Sequence, residues 1–309
     1  MSGMTGFSDT FKEKTMKKNK KYLIALEETR SIIALVSGII IFVCTLASVL
    51  TMTVNLHDQG DSALHYFTAL SNLFSAVGAA FMIPYAAEGI RKKRFVLPRR
   101  VVLFQYSGAT CVAITLVTSC ALILPTQGIS QMSGPYFWLH IITPALTVLL
   151  FQSVESGVEF RKRDMIISLI PYWVYMAVYF IMVIVIGKEN GGWEDFYMTT
   201  AYIPVWLSFI LMMTMGFAIS FVLYLIRNKS AKASRRRIAK AWSDDLEPKE
   251  LLIEAFGLGR YIGSKCDVEE LTVPLDVFLL MSQRYNIPVE RLTKAYVKGA
   301  LDSIEERQK

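Results

Sequence analysis

The stretch Ser31–Val54, SIIALVSGIIIFVCTLASVLTMTV, runs 24 residues without a charge. A bilayer core about 30 Å thick is crossed by about 20 apolar residues in helical conformation. The apolar core of a cleavable leader is shorter, about 7–15 residues, so this run reads as a retained transmembrane helix. Five more runs follow, at about Tyr66–Ala87, Val101–Leu124, Phe137–Val154, Met165–Gly187 and Thr199–Ile226. The chain of 309 residues is 53% hydrophobic with a mean hydropathy of +0.39, which excludes an ordinary soluble domain. The predicted fold is all-α, a polytopic six-helix transmembrane bundle.

The loops alternate in charge. Arg91, Lys92, Lys93, Arg94, Arg99 and Arg100 lie in the second, Arg161, Lys162 and Arg163 in the fourth, and Arg227, Lys229, Lys232, Arg235, Arg236, Arg237 and Lys240 follow the last run. The other three loops hold one basic residue, Lys188. Basic residues flanking spans stay inside. Both termini are therefore expected in the cytoplasm, and the protein in the inner (cytoplasmic) membrane. The basic clusters are topology signals that also touch anionic membrane lipids. Trp138, Trp193, Tyr66, Tyr136 and Tyr197 gather at the outer ends, as an interfacial aromatic belt does.

Four segments are expected. Residues 1–30 are a basic tail, disordered to about Lys20, with a short pre-membrane helix. Residues 31–227 form the six-span domain, 228–240 a basic linker, and 241–309 a small cytoplasmic helical module. In that module nine Lys/Arg meet thirteen Asp/Glu. Helical apolar spacing at Leu251, Leu252, Ala255, Phe256 and Leu258 predicts a helix over Pro248–Tyr261. Asp267 with Glu270 resembles a capping box, opening a helix toward Tyr285. Pro288 suits the first turn of a last helix, Val289 to about Glu305, with a stripe of Leu292, Tyr296, Val297 and Leu301. The acidic balance argues against nucleic acid and leaves packing or a protein partner. Cys44, Cys111, Cys120 and Cys266 show no metal spacing. No metal or cofactor is expected.

Trp138-Leu139-His140-Ile141-Ile142-Thr143-Pro144 carries a histidine well inside an apolar segment. Ionisable groups in membrane helices are costly and mark function. Pro144 has no N–H for the carbonyl four residues back, so a free acceptor is expected at His140. In the second run, Thr68, Ser71, Asn72 and Ser75 fall at i, i+3, i+4 and i+7, one helical face. Plain helix packing also uses such polar stripes. Both runs cross from outside to inside, and Thr68 and His140 lie two and three residues into theirs, at matched depth. A hydroxyl and an imidazole so placed suit a nucleophile and its base acting on a lipid ester. Asn72 is the expected oxyanion donor; Ser71, Thr143 and Thr147 are expected to line the site. Tyr172, Tyr175 and Tyr179 form either aromatic packing or the wall of an acyl cavity. Glu155, about 22 Å along the helix from His140 by helical rise, is too far to complete a triad. His57 and His65 are expected to face solvent, with His65 a backup base.

Tyr66-Phe67-Thr68-Ala69-Leu70-Ser71-Asn72-Leu73 resembles the threonine motif of the androgen-induced gene family, six-span membrane threonine hydrolases that include the androgen-dependent regulator. His140 with a proline just after resembles its histidine motif, and Pro171-Tyr172-Trp173-Val174-Tyr175 through Tyr197 its fifth span and following loop. The likeness covers about residues 31–227; Ser71-Asn72 is closer to the bacterial branch. It implies hydrolysis of fatty-acyl esters, Thr68 as nucleophile and His140 as base. The rival expectation is a transporter or scaffold acting through residues 241–309. No internal repeat of the transporter kind is visible.

Overall fold

A backbone in hydrocarbon must satisfy its own polar groups, and a chain without strand periodicity does so only as helix. The computed structural model describes residues 5–58, 61–92, 95, 97–128, 133–154, 160–201, 203–243, 248–264, 271, 273–275, 278–279, 282 and 287–308, with backbone alone over 5–27, 127, 154, 234–243, 248–250, 254 and 308. Among the described residues, six helices are long and apolar enough to cross a membrane: Glu28–His57, Phe67–Lys92, Arg99–Thr126, Gly134–Ser153, Lys162–Ile186 and Val205–Ala233. The protein is a six-span helical membrane protein. We number the spans in that order.

Span 3 is the axis. Every residue from Gln105 to Thr115 is buried, as expected of a helix enclosed on all sides, and spans 2, 4, 5 and 6 pack against it. Its small residues, Ser107 to Cys111, allow neighbouring backbones to close in. A Cβ on Gly108 would sit 3.3 Å from Ser75 Cα. Polar side chains stitch the contact with spans 5 and 6. The Tyr106 hydroxyl donates to the Ser220 carbonyl at 2.8 Å, and the Ser168 and Ser220 hydroxyls meet at 2.8 Å.

Two residues expected to act only as topology signals are structural. Arg99 pairs with buried Asp164 at 2.5 Å, and Asp164 also accepts the Arg161 N–H at 2.6 Å. Arg227 is fully buried and donates to the Phe151 and Gln152 carbonyls at 2.7 and 3.3 Å. Those carbonyls end span 4, where a helix leaves acceptors without backbone donors and favours a cation.

Three expected boundaries move. The basic tail is not a disordered segment plus a short helix; one 53-residue helix, Thr5–His57, runs through it into span 1. The expected linker 228–240 continues span 6 as a helix to Ser243. Neither stretch contains a proline, and lysine, arginine and alanine sustain a helix. Span 6 starts at Val205 rather than Thr199, because Asp195 takes the N–H groups of Thr199 and Thr200, both at 2.9 Å.

In the chain after span 6, Pro248–Gly263 and Val289–Gln308 form a helix pair. Leu251, Leu258, Leu292 and Tyr296 lie in its core. The last stripe turns through Ala300 and Ile304, leaving Leu301 exposed. The two backbones nearly touch: a Cβ on Gly259 would lie 1.9 Å from the Tyr296 carbonyl oxygen, and one on Gly299 2.0 Å from that of Phe256. The expected capping box at Asp267 lies outside the described residues. Because only rigid backbone faces Gly259, Gly259→Val is expected to pry the pair apart. Limited trypsin digestion should then remove the tail at least 10-fold faster while the six-span fragment survives intact.

Candidate active site

The second span presents its polar face to spans 3 and 4. Thr68 Oγ1 lies 3.3 Å from His140 Nε2. Ser71 meets Thr115 of span 3 at 2.7 Å. The Asn72 amide reaches span 4, and Ser75 meets Thr147 there at 3.0 Å. Thr68 pairs with His140 and Ser75 with Thr147 at the same sequence offset, so the two parallel helices stay in register over two turns.

Thr68 and His140 are each 6% exposed. Their separation is long for a hydrogen bond, as catalytic contacts often are without substrate. The imidazole is carried on a π-helical turn, Trp138–Ile142. Pi-bulges also occur at Ser119–Ile123 and Ile181–Ile186, at the same end of spans 3 and 5. Such insertions gather at functional sites because they re-aim side chains that a regular helix would point elsewhere.

Thr68 stands at the junction of two cavities. The inner crevice is narrow, about 20 Å³, and lies between spans 3, 5 and 6, walled by Ile114, Thr115, Tyr172, Tyr175, Met212 and Met215 among others. The outer vestibule is far larger, about 700 Å³, and is lined by Asn55, Asp58, Tyr66, Tyr136, His140 and Phe196 among others. Thr68, Ile123 and Tyr197 line both. One cavity is greasy and the other is amphipathic, and the hydroxyl is where they meet.

The expected site residues divide. Tyr172 and Tyr175 line the crevice, and Tyr172 fits against Gly216, where a Cβ would meet its ring at 2.7 Å. Tyr179 instead holds the loop after span 5, donating to Asp195 at 2.7 Å. Thr147 is committed to Ser75, and Thr143 is buried with its hydroxyl oxygen without a hydrogen-bond partner. Asn72 differs from expectation: its amide nitrogen donates to the carbonyls of Thr68 at 2.7 Å and Leu139 at 2.8 Å. An oxyanion would have to break one of those bonds. His65 is not solvent-facing; it is half-buried, bonds Asp61 at 2.8 Å and stacks on Trp193 at 4.8 Å. His57 is exposed. Glu155 lies outside the described residues.

Tyr197 was missed as a site residue. Its position in an outer loop suggested a belt aromatic, yet its hydroxyl accepts the Phe67 N–H at 3.1 Å, next to Thr68. Burial pushes the Tyr197 phenol up to about 12, so it keeps its proton at neutral pH and can donate it. Tyr66 is also held above its ordinary value, by burial first and then by its bond to Asp61. Nothing local in the sequence marks Tyr197; only the fold of the loop brings it in.

That fold depends on Asp195. Burial alone would raise its carboxyl, but the N–H groups of Thr199 and Thr200, the Tyr179 hydroxyl and the Thr200 hydroxyl outweigh it and hold it below the ordinary value.

No family model, no curated protein and no solved structure matches the chain.

Because the folded carboxyl of Asp195 is depressed, the order it confers is complete above the ordinary aspartate value of 3.8 and is lost only as pH falls through its lowered folded value. Amide exchange over residues 195–200, corrected for the intrinsic rate, should stay protected from pH 7 to about 4 and open below. In Asp195→Asn that pH dependence should vanish.

Proposed function

We propose that the protein is a membrane-embedded hydrolase that cleaves a fatty-acyl ester with Thr68 as nucleophile and His140 as base. One observation carries the reading. A buried imidazole, costly inside a membrane helix, and a hydroxyl 72 residues away in the chain meet at 3.3 Å where a narrow apolar crevice joins a vestibule.

The vestibule holds the ester, and its acyl arm enters the narrow crevice as Met212 and Met215 move aside. His140 Nε2 takes the Thr68 proton as Oγ1 attacks the ester carbonyl carbon. The resulting oxyanion is met by the Tyr197 hydroxyl in place of the expected Asn72. The tetrahedral species collapses, the C–O bond to the alcohol breaks, and the imidazolium returns its proton to the leaving oxygen. A water from the vestibule then gives a proton to His140 and adds to the acyl-threonine. Collapse frees the fatty acid and restores the Thr68 hydroxyl. The arrangement needs no metal or cofactor.

The alternating basic loops support an orientation with both termini in the cytoplasm of an inner-membrane protein. The dyad is then near the outer leaflet, where the vestibule opens to the exterior. The resemblance of residues 66–73 and of His140 to the androgen-induced gene family points to the same chemistry.

A fluorophosphonate probe should label purified protein at Thr68. Thr68→Ala should abolish the label, Thr68→Ser should keep it, and His140→Ala should slow labelling by about 10²–10⁴-fold. Tyr197→Phe should lower kcat on a p-nitrophenyl acyl ester by about 10²-fold. Equal labelling of wild type, Thr68→Ala and His140→Ala would end the proposal and return the scaffold or transporter reading.

A further inference from the structure

Asn72 is fully buried, and its two amide hydrogens go to two backbone carbonyls on different helices. One carbonyl belongs to Thr68 itself and the other to Leu139, the residue before His140. A single side chain thus ties together the backbones that carry the two reacting groups.

The Leu139 carbonyl needs such a partner for a local reason. In an α-helix it would accept the Thr143 N–H. In the π-turn that N–H goes instead to the Trp138 carbonyl. The next π-type donor would come from residue 144, which is proline and has no N–H. The π-turn and Pro144 together leave the Leu139 carbonyl without a backbone donor, and Asn72 fills it at 2.8 Å. A buried carbonyl left bare is costly, so the amide stabilises the π-turn against a regular α-turn. Removing the π-turn would rotate the preceding residues, His140 among them, by about 100° relative to the rest of span 4.

We propose that Asn72 is a positioning residue: its amide holds span 4 in the π register that turns His140 Nε2 toward Thr68. Its own amide oxygen is buried without a hydrogen-bond partner, which fits a side chain oriented by its two donor bonds alone. The proposal rests on the Thr68–His140 reading for its functional meaning, but its geometry can be tested separately.

The test uses the full-length protein in nanodiscs. Asn72→Leu keeps most of the volume and removes both donors. Asn72→Asp keeps the shape; when protonated it offers one donor, and when ionised none. Two readouts are taken, the fluorophosphonate labelling rate against pH and the imidazole ¹⁵N signals of histidine-labelled protein, assigned with His57→Gln and His65→Gln. Asn72→Leu should label at least 10-fold more slowly and shift the His140 ¹⁵N pair. Asn72→Asp should lose labelling between pH 6 and 9, where wild type does not fall. Should Asn72→Leu fail to fold, the Asn72→Asp pH profile decides. A purely packing role predicts the reverse, and two results would overturn the proposal: Asn72→Leu within 2-fold of wild type with unchanged His140 signals, or a wild-type pH profile in Asn72→Asp. If wild type takes no label, the hydrolase reading fails while the His140 signals still decide the positioning claim.

Discussion

A polar group inside a membrane helix must find its partner within the protein, and span 2 is built around that demand. Thr68, Ser71, Asn72 and Ser75 are all buried, and each reaches across to span 3 or span 4. Lipid tails are as apolar as leucine, so burying apolar surface does little to draw helices together in the bilayer; close packing and such hydrogen bonds must do it. In the hydrolase reading the stripe is both a fastener and a site. Ser71 and Ser75 fasten. Asn72 fastens backbone to backbone. Thr68, at the end of the stripe, is the member whose contact opens onto empty space.

The architecture around that face divides the molecule into a stiff half and an adaptable half. Toward the basic end, Arg99–Asp164 locks span 3 to span 5, and Arg227 on the Phe151 and Gln152 carbonyls locks span 6 to span 4. Breaking one member of a buried ion pair strands the other, which makes such locks stiff. Toward the dyad end the helices carry π-turns in spans 3, 4 and 5, and methionines 212 and 215 form part of the crevice wall. Methionine fills irregular space and adapts to different chains. In the hydrolase reading, methionines that move aside for an acyl arm suit the second half.

Much of this was legible in residue order. Six charge-free runs and alternating basic loops point to six spans because the bilayer imposes a length and the loops a sign. The meeting of Thr68 and His140 followed from depth along two parallel helices, and depth needs only helical rise. The misreadings of individual side chains share one cause: they concern direction rather than depth. Asn72 lies on the expected face, but a proline and a π-turn in another helix decide what its amide finds. Tyr197 looked like a belt residue, and Asp195 folds it inward through Thr199 and Thr200. Arg227 looked like a topology signal, yet it caps a helix that ends 73 positions earlier in the chain, at Val154. Tyr175 could be read as packing or as cavity wall, and it is both: its hydroxyl holds the His65 carbonyl at 2.8 Å while it lines the crevice.

The π-turn at Trp138–Ile142 also explains why this histidine can be carried inside a membrane at all. A lone imidazole on a regular helix would need a ready partner on whichever neighbour it happened to face. Here the backbone gives up one regular hydrogen bond to aim the ring, and the acceptor so exposed is covered by Asn72 from the helix that bears Thr68. The cost of aiming and the partner at which the ring is aimed come from the same face of span 2. That coupling ties the aiming of His140 to the helix that bears Thr68, whereas glue between helices requires neither a π-turn nor a cavity beside the hydroxyl.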